Sequence, residues 1–169
     1  MTSMLSPGRV RRSIRTACAV GAAGLVVVAV SGCEKPKPVT TVTVGSTSVH
    51  SHDMCDNDGK KMGSKAFEVC AAEAKSKSID FTGSDTLRIG VEPEVAERGW
   101  EVLGTIQNPQ SGQEQTAKLV QFTKKTYATT EGLDLSLLPD KSELVVVERD
   151  KEKGDPYGVW NFTLNKKDH

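Results

Sequence analysis

The feature that most constrains this chain is a series of short apolar alternations with no helical segment between them. Side chains that repeat every two residues lie on one face of a β-strand. Such alternations occur at Ile79 and Phe81; at Leu87, Ile89 and Val91; at Trp100 and Val102; at Leu133, Leu135 and Leu137; and at Trp160, Phe162 and Leu164. With Val39–Val44 and the apolar runs Leu119–Phe122 and Leu144–Val147, they predict roughly seven to nine short strands and therefore a β-sandwich.

Two details favour an immunoglobulin-like sandwich. Trp100 lies in a predicted strand where such domains often bury a tryptophan. The segment Leu137–Asp140 precedes a buried apolar strand and is similar to the corner that leads into strand F of that fold. The inter-sheet disulfide is missing, because Cys55 and Cys70 both precede this region. We expect a mainly β, immunoglobulin-like domain.

One segment of the domain, residues 48–74, differs from the strand pattern. Ser48–Gly63 is polar, contains two glycines and is predicted to be a loop. Ser64–Ala74 is the one convincing helix, since Phe67, Cys70 and Ala71 share a face at i, i+3, i+4 spacing. A single short helix is therefore expected in the domain.

The first 32 residues have the organisation of a secretory signal peptide. Arginines at positions 9 to 15 are followed by an uncharged run from Ala17 to Val30, and this run is shorter than the ~20 residues that cross a membrane. Arg11-Arg12 is an incomplete twin-arginine motif, so either the general or the twin-arginine export route stays open. The segment predicts export.

The junction Val30-Ser31-Gly32-Cys33 resembles the lipobox of bacterial lipoprotein precursors. The resemblance implies that Cys33 is acylated and becomes the mature N-terminus. The lipid would hold the protein on the outer face of the cell membrane. Residues 33–38 would then be the lipid anchor and an extended tether, broken by two prolines, and residues 39–169 the extracytoplasmic domain. An ordinary cleaved signal peptide is the alternative.

The charge of the mature chain argues against nucleic acid as a partner. The whole sequence has 22 basic and 22 acidic residues, but four of the basic residues and none of the acidic ones lie in residues 1–32. The remainder has 18 bases and 22 acids, a net charge of −4. A mildly acidic domain has no electrostatic reason to bind nucleic acid.

The cysteines suggest one disulfide. Cys18 lies in the signal segment and Cys33 is the expected lipid site, which leaves Cys55 and Cys70 in an oxidising compartment. A disulfide would join the helix to the loop before it. A metal site with two thiolates is the competing interpretation, although it needs further ligands at close spacing.

The polar segment His50–Met62 is the candidate for metal binding. In a strand, His50 and His52 would point to the same side, and Asp53 follows them. Two imidazoles with a carboxylate or a methionine sulfur could hold copper or zinc. A disulfide-bonded loop without a physiological metal is the more ordinary interpretation, and we expect no cofactor.

Enzymatic motifs are absent from the sequence. It has no G-x-S-x-G elbow, phosphate-binding glycine loop or dinucleotide fingerprint. The carboxylates of Glu92, Glu94, Glu97 and Glu101 could supply an acid and a base for a cell-wall hydrolase, but an acidic strand edge and turn explain them more simply. We therefore expect a protein that is not an enzyme.

The whole pattern is similar to a family of small actinobacterial lipoproteins of unknown function. The resemblance implies a location and a fold, but no catalytic residues. It rests on the lipobox, VTVGS at Val42–Ser46, Val49-His50, the two cysteines around Asn57–Lys60, RIGVEPE at Arg88–Glu94, Gly99-Trp100 and GVWNF at Gly158–Phe162.

These observations lead to one functional expectation and two alternatives. We expect a lipid-anchored module that binds an envelope protein or ligand through loops at one end of its sandwich. The long polar loops Gln107–Gln115 and Arg149–Gly158 are the candidates, because loops on a rigid scaffold commonly carry recognition. A copper- or zinc-binding lipoprotein is the second hypothesis, and a cell-wall hydrolase is the third.

Overall fold

The computed structural model describes residues 36–52, 54–73, 75–130 and 133–167. The protein is mainly β, with 52% strand and 14% helix. The strands are β1 (Thr40–Val44), β2 (Thr47–Ser51), β3 (Cys55–Asp56), β4 (Ser76–Phe81), β5 (Leu87–Val91), β6 (Trp100–Gln107), β7 (Glu114–Thr123), β8 (Tyr127–Thr129), β9 (Lys141–Arg149) and β10 (Pro156–Lys166). The helices are α1 (Ser64–Glu73), α2 (Pro93–Arg98) and a 3-10 turn at Leu135–Leu137. The signal segment, Cys33, Asp53 and Ala74 lie outside the described residues.

The strands form the two sheets of a β-sandwich. The first sheet has the order β2-β1-β5-β8, and all its neighbours are antiparallel. The second has the order β3-β10-β9-β6-β7, and β4 also pairs with β10 in parallel. The run β10-β9-β6-β7 has the order G-F-C-C′, and β5 beside β8 has the order B-E of an immunoglobulin-like sandwich. The predicted fold class is confirmed.

Apolar side chains from both sheets fill the space between them. Val42 and Ile89 from the first sheet and Trp160, Phe162 and Val146 from the second are at most 1% exposed. Each belongs to a predicted alternation or apolar run, so the strand periodicity correctly identified the inward face. Trp100 is also buried, and its indole N–H donates to the carbonyl of Lys125 at 2.7 Å.

The segment Leu133–Leu137 is not the predicted strand. Residues Leu135–Leu137 form a 3-10 turn, in which the carboxylate of Asp134 accepts a hydrogen bond from the backbone N–H of Ser136 at 2.8 Å. The buried leucines are Leu135 and Leu138, whose spacing of three matches the 3-10 period. The turn connects β8 to β9, so it is the predicted corner before strand F.

Three further elements were not predicted as such. The segment expected to be a loop contains β2 and the two-residue strand β3. The acidic stretch before Trp100 contains α2, which starts at a proline and ends at Gly99. Gly99 has φ +120, and a side chain there would collide with the ring of Phe122. The backbone therefore needs glycine at this corner.

The sandwich has two ends, which we call the tether end and the far end. The tether end carries residues 36–38, α2 and the loop 150–155, because Trp100 lies opposite Glu148 on the paired strands β6 and β9. The far end carries the β6–β7 loop at residues 108–113 and the 3-10 turn. The two long polar loops therefore lie at opposite ends, and the expectation that they share one end is wrong.

Candidate binding site

Helix α1 covers part of the outer face of the second sheet. The inner face of β10 presents Trp160 and Phe162, so the residues between them point away from the core. On this outer side Cys70 and Met62 pack on Val159, with Phe67 and Val145 at the edge. The predicted helix face is confirmed for Phe67 and Cys70. This second, smaller cluster holds α1 against the sheet.

A disulfide fixes α1 at its position. Cys55 on β3 is bonded to Cys70 on α1, with 5.6 Å between their Cα atoms. The Sδ of Met62 lies 3.5 Å from the Sγ of Cys70, a van der Waals contact within the same cluster. The predicted disulfide is confirmed, and neither cysteine is left as a thiolate that could bind a metal.

Beside α1 the outer face has an apolar pocket of about 190 Å³. Phe67 and Ala71 form its helical side, while Leu103 and Val145 form its floor on the sheet. Those four side chains are only half-buried, because α1 is too short to cover all of β6 and β9. Other residues lining the pocket are Gly104, Thr105, Thr116 and Glu143.

A second, more polar pocket of about 130 Å³ lies near the end of α1. It shares Ala71 and Glu143 with the apolar pocket, and Ala72, Ser76, Asn161 and Phe162 complete its lining. Because they share these residues the two pockets are adjacent, and together we call them the α1 cleft. The cleft therefore has an apolar part and a polar part, with Glu143 at both.

Asn161 is the buried polar group of this cleft. It is 8% exposed, and its side-chain Nδ2 donates to the backbone carbonyl of Ala71 at 2.6 Å. Its Oδ1 is buried and accepts no hydrogen bond from the described residues. An acceptor in this state raises the free energy of the folded protein by about 1–3 kcal/mol. The strand alternation placed Asn161 on the outer face, but it did not reveal that α1 buries it.

A network of charged residues borders α1 on the side of the tether end. Glu101 is 2% exposed, and its carboxylate contacts the Nε of Arg149 and the Nζ of Lys118, each at 2.8 Å. The carboxylate of Glu101 also raises the pKa of Lys118. The guanidinium of Arg149 lies 5.6 Å from the ring centre of Phe67. This pairing leaves Glu101 unsuited to the acid–base role that a hydrolase needs.

The tether end holds a buried carboxylate that the sequence analysis missed. Glu148 is 3% exposed on the inner face of β9, and burial raises its pKa to about 6. The Nη1 of Arg98 contacts its Oε1 at 2.6 Å, and the guanidinium of Arg98 stacks on the ring of Tyr157, 4.2 Å from its centre. The only sequence signal was a glutamate immediately after the apolar run Leu144–Val147.

The histidines proposed as metal ligands lie at an exposed strand end. His50 is on β2, and its Nδ1 shares a hydrogen bond of 2.8 Å with the hydroxyl of Thr41 on β1. His52 follows the last residue of β2 and is exposed, while Asp53 lies outside the described residues. Within the described ranges no group of three or more His, Cys, Asp or Glu side chains could hold a metal ion. Copper or zinc binding stays an untested prediction.

Comparisons with known proteins do not identify a relative. No protein-family model matches the chain, and neither the curated proteins nor the solved structures contain a match. The functional argument therefore rests on the residues of this chain. In the part of the chain that the structure describes, none of the helices has the length and apolar character needed to span a membrane.

Proposed function

We propose that this protein is a lipid-anchored module on the outer face of the cell membrane, and that its immunoglobulin-like domain binds an envelope protein or ligand without catalysing a reaction. Export and anchoring are supported by the signal-like residues 1–32 and by the lipobox-like sequence that ends at Cys33. Both lie outside the described residues, so this part of the proposal depends on the sequence.

The α1 cleft is the observation that supports a binding role. The sandwich core is filled, yet the outer face beside α1 leaves Leu103, Val145 and Phe67 half-buried around an open volume. Concave, largely apolar surfaces with a few polar groups are the usual form of a ligand site. The disulfide and the Met62 cluster keep α1 in place, so the cleft is preformed and a ligand need not order it.

A photo-cross-linking experiment in intact cells tests the binding role. p-Benzoylphenylalanine at Thr116, an exposed residue on the wall of the cleft, is expected to capture a defined partner. The matched positions are Gln110 in the far-end loop and Ser46 in the β1–β2 turn, both exposed. Capture from Thr116 alone supports the cleft, and capture from Gln110 alone supports the loop as the contact surface. The absence of a specific adduct from either position contradicts the binding proposal.

A further inference from the structure

We propose that the α1 cleft binds an alkylammonium group, whose carbon chain lies in the apolar pocket and whose cation lies against Glu143. This inference rests on the proposed function, because it treats the cleft as the recognition site and names the chemistry that fits it. A lysine side chain of a partner and a free alkylamine share this chemistry.

The apolar part of the site selects a short carbon chain. Its walls are Phe67, Leu103 and Val145, and its volume of about 190 Å³ is below the 300–1,000 Å³ of typical ligand pockets. The volume suits a few methylene groups better than a ring system or a long acyl chain. Burying such a chain would also remove the half-exposed apolar floor from water.

The polar part of the site selects a positive charge with several N–H donors. Glu143 lines both pockets, and its carboxylate forms no ion pair with a described residue. Asn161 lies diagonally across the β9–β10 pair from Glu143, since Glu143 faces Thr163 and Val145 faces Asn161. Diagonal neighbours are about 7–8 Å apart at Cα, which one ammonium can bridge. It has three donors, enough for the carboxylate and for the unpaired Oδ1 of Asn161.

The competing ligand classes fit the cleft less well. An anion would be repelled by Glu143, and no lysine or arginine lines either pocket. A purely apolar ligand would leave the buried Oδ1 of Asn161 without a donor. A neutral alcohol offers only one donor and no charge.

Methyl NMR tests the proposal on the full chain purified in detergent micelles. n-Butylammonium chloride is the first probe, and the methyl resonances of Val145 and Leu103 report on the pocket. We expect saturable shifts at both residues, and affinity about tenfold lower in Glu143→Gln, since a charge-assisted hydrogen bond has been removed. Glu114→Gln changes an exposed carboxylate outside the cleft and is expected to keep wild-type affinity. Butyrate is expected to bind at least about tenfold more weakly than butylammonium.

A second probe separates the two sources of the ammonium group. A blocked tripeptide with a central lysine should bind more tightly than butylammonium if the natural ligand is a partner's side chain, and more weakly if it is a free amine. Thr116→Trp, which fills the cleft from an exposed strand position, should abolish the shifts for both probes. The proposal is overturned if neither probe shifts the two methyl groups, or if Glu143→Gln binds as well as the wild type. Cross-linking from Thr116 without ammonium binding would leave the binding role in place and reject this ligand class.

Discussion

Glu148 shows how the position of one residue decides its chemistry. A carboxylate at this inner-face position is removed from water, and the loss of hydration outweighs the attraction of Arg98, so the pKa rises to about 6. Glu143 lies on the same strand but on the outer face and is exposed. Strand alternation alone separates these two glutamates.

The raised pKa of Glu148 predicts that the protein loses stability as the pH rises through this range. Below pH ~4.5 the side chain is protonated in both states, whereas between that value and about 6 the folded state binds the proton more tightly. The shift from 4.5 to about 6 corresponds to about 2 kcal/mol of unfolding free energy, lost by pH 7. Urea unfolding of the wild type and Glu148→Gln between pH 4.5 and 7 measures it.

The variant Glu148→Gln should lose most of this slope, because its amide does not titrate. Glu143→Gln is the control and should retain the wild-type slope. Asp134 and Asp150 have lowered pKa values, so their contributions are lost only at more acidic pH and do not overlap this range. Identical slopes in the wild type and Glu148→Gln would contradict the assignment.

At the scale of elements, α1 depends on its tertiary attachments. It has ten residues, fewer than an isolated helix needs to be stable in water. Its contacts with the sheet come from Phe67, Cys70 and the hydrogen bond that Asn161 donates to Ala71. The disulfide links it to β3 across a sequence separation of 15 residues. The α1 cleft therefore exists only while these attachments hold.

Replacing both cysteines tests this dependence. Cys55→Ala with Cys70→Ala should lower the unfolding free energy by ~3 kcal/mol on the chain-entropy model, because the unfolded chain gains freedom. Amide exchange should accelerate first in α1, while β6, β9 and β10 stay protected. The wild type under reducing conditions should behave like the double variant. Equal protection of α1 in both proteins would show that packing alone holds the helix.

At the scale of the whole molecule, the tether and the two ends define an orientation. The indole N–H of Trp160 donates to the carbonyl of Pro38 at 3.1 Å, and the Nζ of Lys37 lies 3.1 Å from the carboxylate of Asp56. The described part of the expected tether is therefore bound to the domain. Lys37 is four residues from Cys33, at most ~14 Å of chain. An acylated Cys33 would keep the tether end near the membrane and leave the far end facing outward.

The anchoring proposal predicts the behaviour of two cysteine variants. Cys33→Ser should accumulate as an unprocessed precursor and incorporate no radiolabelled fatty acid, because the acceptor thiol is missing. Cys18→Ser changes the other cysteine of the N-terminal segment and should be processed and labelled like the wild type. Immunoblotting and labelled palmitate in growing cells measure both effects. Labelling and processing of Cys33→Ser at wild-type levels would refute the lipobox interpretation.

The sequence by itself determined the fold class, the inward face of most strands, helix α1 and the disulfide. These features follow from local rules: period-two burial, helical spacing at Phe67 and Cys70, and the small number of cysteines. The tertiary structure alone decided the burial of Asn161 and Glu148, the α1 cleft and the placement of the two long loops at opposite ends. Each of these depends on which distant segments meet, and alternation along one strand carries no information about what covers its outer face.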